Sequence, residues 1–356
     1  MAKRPNLVIF CGAGFSVCAG LPVMKDFAAR LRDSDLLDDD ERRDFDSIQH
    51  ECDYLGAIIG SSSRNLEQLA SFLAVLQLTR PEFRLRCGKT AEQALDFIVE
   101  KMALLVNPTM KVTDAAVARH IFSAMTGAEV SFVTTNYDVL LELAANGENR
   151  TSQTNCCDRL TPTKSIVDAR VNTADGYRRL HENAGKRANL FKLHGSVNWF
   201  EDLAGKIAVH DTIKKGDPGG FIDYYNRQNY RRRLIVPPTV IKSQLPAALK
   251  DQWVGAAKAI SEADGLWFIG YSFPDTDSFM KYFLASALMD NIRLKQLLII
   301  DPSSETLRRA KDMLSLQRLK ECFECIQRPW NAFSPPVFDI ETIRQWLTGI
   351  DGSMPY

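Results

Sequence analysis

Five short apolar runs recur along the chain, and each is rich in β-branched and aromatic residues. They lie at 6–11, 129–135, 189–194, 265–271 and 295–301. Runs of this length and composition are typical of strands that are buried on both faces. Helical patterns follow four of the five runs, at 21–32, 137–146, 274–289 and 303–316. Strands that alternate with helices predict an α/β fold with a doubly wound, mostly parallel, Rossmann-like sheet.

Three stretches interrupt this alternation. Residues 34–128 are predicted to form an inserted helical subdomain, because apolar residues recur there at helical spacing in Glu67–Leu78, Ala91–Val106 and Asp114–Met125. Residues 147–233 are predicted to hold the other two stretches, the insertions 147–188 and 197–233, one on each side of the run 189–194. They include the two segments of a candidate hairpin, Val197–Phe200 and Lys206–His210.

After these insertions, Leu234–Pro238 is a sixth candidate strand, and a helix is predicted from Leu245 to Glu262. We therefore predict one catalytic domain over residues 1–330, followed by a C-terminal tail over 331–356.

The charge balance excludes a strong general attraction to polyanions, since 44 basic residues match 44 acidic ones. The one basic cluster, Arg231–Arg233, is interpreted as a solvated face, so no nucleic-acid partner is expected. No apolar run approaches the roughly 20 residues that a membrane span needs, and no membrane partner is expected. Glycines interrupt the apolar N-terminal stretch, which argues against a secretory signal and favours a cytoplasmic protein.

The eight cysteines are scattered, which favours reduced thiols in the cytoplasm over a disulfide framework. Cys322 and Cys325 form the only C-x-x-C motif, and no second pair or nearby histidine completes a zinc site. No metal is expected, although the fold could bring Cys156 and Cys157 close to this pair.

A glycine turn, Gly12-Ala13-Gly14-Phe15-Ser16, directly follows the first predicted strand. Glycine allows a sharp turn and close approach of the backbone to a ligand, and a following helix N-terminus favours phosphate. No third glycine stands at the dinucleotide-fingerprint spacing, because the next one is Gly20. The turn by itself therefore predicts only a general phosphate-binding site.

Polar residues follow four of the predicted strands, in Thr134–Asp138, Lys192–Ser196, Gly270–Asp277 and Asp301–Ser303. The carboxyl ends of parallel strands share one edge of a sheet, and ligands bind at that edge. A structural role also explains each residue taken singly. Asn136, Asp138 and Asp301 could cap helices, and His194 could be a core histidine.

The order of these motifs resembles the sirtuin family over residues 5–320. In that family an NAD molecule lies across the sheet edge. The resemblance implies that the loop Gly12–Ser16, with Gly270 and Ser272, holds the diphosphate and that Asp301 binds the adenosine ribose. The residues implied to bind NAD are Gly12, Ala13, Gly14, Ser16, Thr135, Gly270, Ser272 and Asp301. Asn136, Asp138 and His194 are the implied catalytic residues, with His194 as general base.

The chain departs from protein-deacylating sirtuins in the parts that serve the peptide substrate. Those enzymes carry a zinc ribbon of two C-x-x-C pairs after the catalytic histidine, whereas residues 195–321 here contain no cysteine. Leu234–Ser243 stands where deacylases carry a Phe-Gly-Glu strand.

This combination resembles the sirtuin-like NAD hydrolases that act as effectors of bacterial antiphage defence. It implies cleavage of NAD to nicotinamide and ADP-ribose, and NAD depletion in abortive infection. The motifs leave little room for a fused sensor, so activation is expected through a homo-oligomer or a separate partner, such as a HerA-type ATPase or another co-encoded sensor. Two alternatives stay open: an NAD-dependent protein deacylase, and a non-catalytic module that senses NAD or ADP-ribose.

Overall fold

The computed structural model describes most of the α/β core of the chain. The described residues are 5–58, 66–106, 129–141, 160–161, 166–168, 188–201, 207–209, 232–239, 246–274, 277–314 and 323–327. Within these ranges, no helix combines the length and the apolar character that crossing a membrane requires.

Eleven strands are found in the described residues, and they form two sheets. They are β1 Asn6–Cys11, β2 Glu129–Thr134, β3 Leu160–Thr161, β4 Ile166–Asp168, β5 Ala188–Lys192, β6 Gly195–Glu201, β7 Ile207–Val209, β8 Arg232–Ile235, β9 Gly265–Ile269, β10 Gln296–Ile300 and β11 Phe323–Ile326. The larger sheet has seven strands in the order β11-β10-β9-β1-β2-β5-β3, and every pairing in it is parallel.

Both faces of this sheet are buried, which explains why its strands read as continuous apolar runs. Successive side chains of a strand point to opposite faces. In β1, Leu7, Ile9 and Cys11 therefore join one hydrophobic core, while Val8 and Phe10 join the other. The sheet thus separates two cores, as a doubly wound fold requires.

The strand order reverses direction at β1. From β1 the chain adds β2, β5 and β3 on one side, and it later adds β9, β10 and β11 on the other side. The crevice between β1 and β9 is therefore a topological switch point, where open α/β sheets bind their ligands.

The smaller sheet has the order β4-β7-β6-β8. Its strand β6 begins at Gly195, directly after the turn that follows β5, and pairs antiparallel with β7 and β8. Gly195 has φ +78°, and a Cβ there would lie 1.9 Å from the carbonyl oxygen of Leu234. Only glycine fits this turn, which leads the chain from the large sheet into the small one.

Seven α-helices and one 3₁₀ helix are found in the described residues. They are the 3₁₀ helix Ala13–Ala19, α1 Met24–Arg32, α2 Asp39–Ile58, α3 Leu66–Thr79, α4 Ala91–Val106, α5 Ala247–Ser261, α6 Ser278–Leu288 and α7 Ser304–Met313. Helices α2 to α4 lie in the stretch predicted as a helical insertion, and residues of all three join the core that contains Leu7 and Ile9.

The predicted fold class is confirmed, and all five predicted strands lie in the parallel sheet. The sixth candidate strand is also present, as β8 of the small sheet. Two details of the prediction were wrong. The third strand ends at Lys192, so His194 lies in a turn. A 3₁₀ helix precedes α1, so the helix predicted from residue 21 begins only at Met24.

Three edge strands were not predicted, β3 and β11 of the large sheet and β4 of the small sheet, because each has four residues or fewer. Several predicted features lie outside the described residues: the helix Asp114–Met125, the second half of the helix 137–146, the tail 331–356, and Cys156, Cys157 and Cys322.

Candidate functional site

One edge of the large sheet carries the sequence-predicted site residues. In the spatial order of the strands, Asp301 follows β10, Gly270 follows β9, Gly12 follows β1, Asn136 follows β2, and His194 follows β5. Neighbouring strands are about 4.8 Å apart, so the row from β10 to β5 spans about 19 Å. The polar residues that are scattered along the sequence therefore share one continuous edge.

Two glycine turns meet at the switch point. Gly12 N donates to the carbonyl oxygen of Ile269 at 3.0 Å, and Gly14 N donates to that of Gly270 at 2.8 Å. A Cβ on Gly12 would lie 2.5 Å from Gly270 O, and a Cβ on Gly270 would lie 2.3 Å from Phe15 N. These glycines are required because the backbones of the two turns pack directly against each other.

Several main-chain N–H groups of the loop Gly12–Ser16 already donate hydrogen bonds within the protein. The amides of Gly12 and Gly14 bond to the β9 end, and Phe15 N donates to Gly12 O at 2.9 Å. The second turn also contains two left-handed residues: Gly270 at φ +62°, which glycine adopts readily, and the fully buried Phe273 at φ +47°. Non-glycine residues in this left-handed region are uncommon and cluster at functional sites.

A chain of hydrogen bonds links the first glycine turn to the end of β2. Ser16 Oγ donates to Asp138 Oδ2 at 2.7 Å, and Asn136 Nδ2 donates to Ser16 Oγ at 3.1 Å and to Gly12 O at 2.8 Å. Asp138 Oδ1 also accepts from Leu140 N at 2.9 Å. Four of the predicted site residues, Gly12, Ser16, Asn136 and Asp138, are thereby brought into direct contact.

This chain fixes the orientation of the Asn136 amide. A backbone carbonyl can only accept, so the group that faces Gly12 O must be the NH₂ group. The Ser16 hydroxyl gives its single proton to Asp138 and therefore also accepts from Asn136. Oδ1 of Asn136 consequently lies on the other side of the amide, and no donor among the described residues bonds to it.

Thr134 supports the same corner, although the sequence reasoning selected its neighbour Thr135. Thr134 Oγ1 donates to Cys11 O at 2.8 Å and accepts from Asn136 N at 3.0 Å. It thus joins the ends of β1 and β2, whereas Thr135 is half-buried beside it. The available signal was its place as the last residue of a buried strand, where a hydroxyl needs a partner.

Lys192 was also missed as a site residue, although it ends a buried strand. Its side chain is fully buried, and Nζ donates to the main-chain carbonyl of Asp138. A lysine at the end of an apolar run is the signal that could have identified it, because lysine is almost never fully buried unless it is paired.

His194 lies in the turn between β5 and β6 and is 7 % exposed. Its carbonyl oxygen accepts from Val236 N at 2.9 Å. Its ring centroid lies 6.2 Å from that of Tyr137 and 6.1 Å from that of Trp253. The imidazole therefore has an aromatic setting that restricts its exposure to water.

These aromatic neighbours differ in how their polar groups are used. Tyr137 OH donates to Val236 O at 2.8 Å, and burial raises the pKa of its phenol well above the usual range. The indole N–H of Trp253 is buried and has no hydrogen-bond partner among the described residues. Tyr137 is thus a neutral structural donor at neutral pH.

Asp301 lies at the other end of the row. It is 8 % exposed, and its Oδ1 accepts from Ser303 N at 2.9 Å. Burial raises the pKa of this carboxyl above its ordinary value, while its hydrogen bonds and Arg309 act in the opposite sense. Ser272 is exposed, and its carbonyl oxygen accepts from the Arg309 guanidinium at 3.3 Å.

In the part of the chain that the structure describes, no group of three or more potential metal ligands is found. Cys11, next to the glycine turn, is fully buried, and burial together with the Asp138 charge raises the pKa of its thiol. The thiol is therefore protonated at neutral pH.

The structure thus joins one group of predicted residues through hydrogen bonds and packs Gly14 against Gly270. Ala13, Thr135, Ser272, Asp301 and His194 lie along the same edge. Their individual roles stay predictions.

Comparison with known proteins gives a family. A family model described as "SIR2-like domain" matches residues 130–323. Among solved structures, a Sir2 homologue in complex with 2'-O-acetyl ADP ribose has a TM-score of 0.40 and 14 % identity, and the match covers 99 % of this chain and 96 % of that one. A sirtuin from work on the structural basis of substrate affinity has a TM-score of 0.40 and 14 % identity, with 98 % and 96 % covered.

A third solved structure, Sir2Tm bound to a propionylated peptide, has a TM-score of 0.38 and 13 % identity, with 98 % and 95 % covered. No curated protein sequence shows significant similarity. The family model spans more than half of the sequence, and the chain therefore belongs to the SIR2-like domain family.

Proposed function

We propose that the chain hydrolyses NAD to nicotinamide and ADP-ribose. Sirtuins take NAD as a substrate, and the chain is a SIR2-like domain. The observation that carries the proposal is the hydrogen-bond chain Asp138–Ser16–Asn136 at the switch point, which holds one acceptor, Asn136 Oδ1, outside the network.

That acceptor suits the charge of the reaction. When the bond between nicotinamide and the ribose breaks, positive charge develops on the sugar in an oxocarbenium-like state. An amide oxygen held in a fixed place stabilises this charge without reorganisation at the moment of reaction. Asn136, half-buried at the end of β2, is the residue we assign to this role.

The remaining roles follow the row along the sheet edge. The turns at Gly12–Ser16 and Gly270–Ser272 would hold the diphosphate, and Asp301 would bind the adenosine ribose. His194 would take a proton from the attacking water or from a ribose hydroxyl. The water oxygen bonds to the anomeric carbon, nicotinamide leaves with the bonding electron pair, and one proton is released.

Water is favoured over an acyl-lysine as the nucleophile, because the sequence lacks the parts that bind an acylated peptide in deacylases. No cysteine stands between 195 and 321, so the zinc ribbon that accompanies the peptide groove of deacylases has no ligands there. Strand β8 pairs with β6 inside the small sheet and is followed by two prolines. Since proline cannot donate to a ladder, this segment is poorly suited to bind an extended peptide.

As a biological role we propose NAD depletion in the cytoplasm as an effector of antiphage defence. An unregulated NAD hydrolase would harm its own cell, so activity would depend on a homo-oligomer or on a separate sensor. A HerA-type ATPase or another co-encoded protein is the kind of partner we propose.

The test is product analysis after incubation of the full chain with NAD, alone and with the proteins encoded beside it. Free ADP-ribose and nicotinamide in equal amounts, without any peptide, are expected. Nicotinamide release that requires an acylated peptide would indicate the deacylase alternative. NAD binding without turnover in every mixture would indicate a sensing module.

A further inference from the structure

A buried lysine lies directly beneath the site. Lys192 ends β5, its side chain is fully buried, and its ammonium donates to the carbonyl oxygen of Asp138. Its own main-chain N–H donates to Gln252 Oε1 at 3.3 Å. Lys192 therefore connects β5 and α5 to the segment that follows β2.

A lysine in this place is costly. Removing an ammonium group from water carries a large free-energy penalty, which good hydrogen bonds only partly offset. A methionine fills a similar volume with no such penalty. What lysine adds here, and methionine lacks, is a charged donor for the main chain of Asp138.

Asp138 is held from two sides. Its carbonyl oxygen accepts from Lys192, and its carboxylate accepts from Ser16 Oγ at 2.7 Å. Ser16 in turn accepts from Asn136 Nδ2 at 3.1 Å. A continuous chain of hydrogen bonds therefore runs from Lys192 through Asp138 and Ser16 to the amide of Asn136.

We propose that Lys192 is a positioning residue that sets the place and orientation of Asn136 through Asp138 and Ser16. The inference rests on the proposed function, because it assigns a consequence to the orientation of a residue in that site. It is also testable by binding alone, since ADP-ribose, the product of the proposed reaction, would contact the same corner under the proposed function.

The variant Lys192→Met removes the ammonium group and keeps the length of the side chain. Lys101→Met is the matched control, because Lys101 is the other buried lysine of the described chain and bonds to Glu41 Oε1 at 2.5 Å within the helical region. Lys192→Met is expected to weaken ADP-ribose binding about tenfold in calorimetry and to lower kcat about 10²-fold, the scale of a small misplacement. Lys101→Met is expected to lower the melting temperature and leave both quantities unchanged.

The decisive arm is a double-mutant cycle with Ser16→Ala. If Lys192 acts through Ser16, the double variant binds ADP-ribose no more weakly than Ser16→Ala alone. Additive losses, or a Lys192→Met variant that loses only melting temperature, would overturn the proposal. Lys192→Gln, which keeps a neutral donor, carries the same cycle if Lys192→Met does not fold.

The two proposals fail in different ways. If the wild-type chain binds ADP-ribose with the expected coupling and no mixture turns over NAD, the hydrolase proposal fails and the role of Lys192 stands. If turnover occurs and the cycle is additive, the role of Lys192 fails alone. A wild-type chain that neither binds ADP-ribose nor turns over NAD in any mixture overturns both.

Discussion

Two asparagines at opposite edges of the large sheet show how differently the molecule uses the same side chain. Asn291 lies at the amino edge, the edge at which the strands begin, and it is 3 % exposed. Its Nδ2 donates to the carbonyl oxygens of Ile260 at 2.7 Å and Ala263 at 3.0 Å. Its Oδ1 accepts from Arg293 N and Leu294 N. Every hydrogen-bonding position of this side chain is used by the protein.

At the carboxyl edge, Asn136 also donates twice from Nδ2, to Gly12 O and Ser16 Oγ. Its side chain is half-buried, and within the described residues no donor reaches its Oδ1. Asn291 joins the C-terminal end of α5 to the loop between α6 and β10, and all its hydrogen bonds serve the fold. Asn136 holds one oxygen in a fixed direction, and we infer that this oxygen is kept for a ligand.

The neighbouring charges follow the same division. Asp264, at the amino edge, accepts from Asn6 N at 2.8 Å and from the Arg293 guanidinium at 2.9 Å. A carboxylate that accepts from both a main-chain amide and a guanidinium is well satisfied, so Asp264 serves the fold at this edge. We therefore expect changes at the amino edge to alter stability and changes at the carboxyl edge to alter activity.

The largest expected effect is at His194. His194→Ala is expected to lower NAD turnover about 10³-fold, since a positioned general base contributes about 10²–10⁴-fold. His50→Ala is the control, because His50 is exposed on α2 and far along the chain from the sheet edge. Turnover is measured as ADP-ribose formed per folded molecule. Equal rates for the two variants would remove His194 from the catalytic residues.

The next largest effect is on stability at the carboxyl edge. The two glycine turns lie at this edge and pack against each other, so a change there is expected to destabilise the fold. Gly270→Ala places a Cβ against Gly14 and Phe15 at a positive φ, so a destabilisation of about 3 kcal/mol is expected in chemical denaturation. Gly20→Ala has a similar φ of +77° with nothing within 4 Å of the added Cβ, and should cost about 1 kcal/mol. Equal losses would show that backbone conformation, and not the contact between the turns, requires glycine at 270.

The smallest effect concerns pH and Asp301. Burial raises the pKa of this carboxyl above its ordinary value of 3.8, so the folded state binds its proton more tightly than the unfolded state. Stability from this group is therefore full below pH 3.8 and is lost as the pH rises through the higher folded pKa. Asp301→Asn is expected to melt at a higher temperature than the wild type at pH 7, with the difference vanishing below that window.

Glu305, in the first turn of α7, is expected to show the opposite pH dependence of stability. Hydrogen bonds from Arg308 and Arg309 lower the pKa of this exposed carboxyl to about 2. Its contribution is present above the ordinary value of 4.5 and is lost as the pH falls toward 2. Glu305→Gln should therefore differ from the wild type at pH 7 in the opposite direction to Asp301→Asn. The same sign for both would contradict the assignment of burial as the cause at Asp301.

The sequence predicts the parallel sheet and the common edge because both follow from local patterns. An apolar run that ends in a polar residue marks the end of a buried strand, and this placed Gly12, Asn136, Gly270 and Asp301 on one edge. The strand order is not local information. The contact of β1 with β9 joins segments more than 250 residues apart, and the switch point depends on it.

The side-chain partners within the site lie beyond local patterns for the same reason. Ser16 was predicted as a phosphate ligand, and its hydroxyl bonds to Asp138, 122 residues away. The glycines were predicted as ligand-binding residues, and the structure gives them a further, structural role. A Cβ at Gly12 or Gly14 would collide with the β9 turn of the protein itself, and not only with a ligand.

The central claim is that Asn136 Oδ1 serves the cleavage of NAD while Asn291 serves the fold, and one paired measurement tests it. NAD hydrolysis and the free energy of unfolding are measured for Asn136→Ala and Asn291→Ala. We predict that Asn136→Ala loses turnover by about 10³-fold and keeps most of its stability. We predict that Asn291→Ala loses about 3 kcal/mol of stability and keeps the turnover of the wild type per folded molecule. An Asn136→Ala variant that still hydrolyses NAD at the wild-type rate would contradict the account.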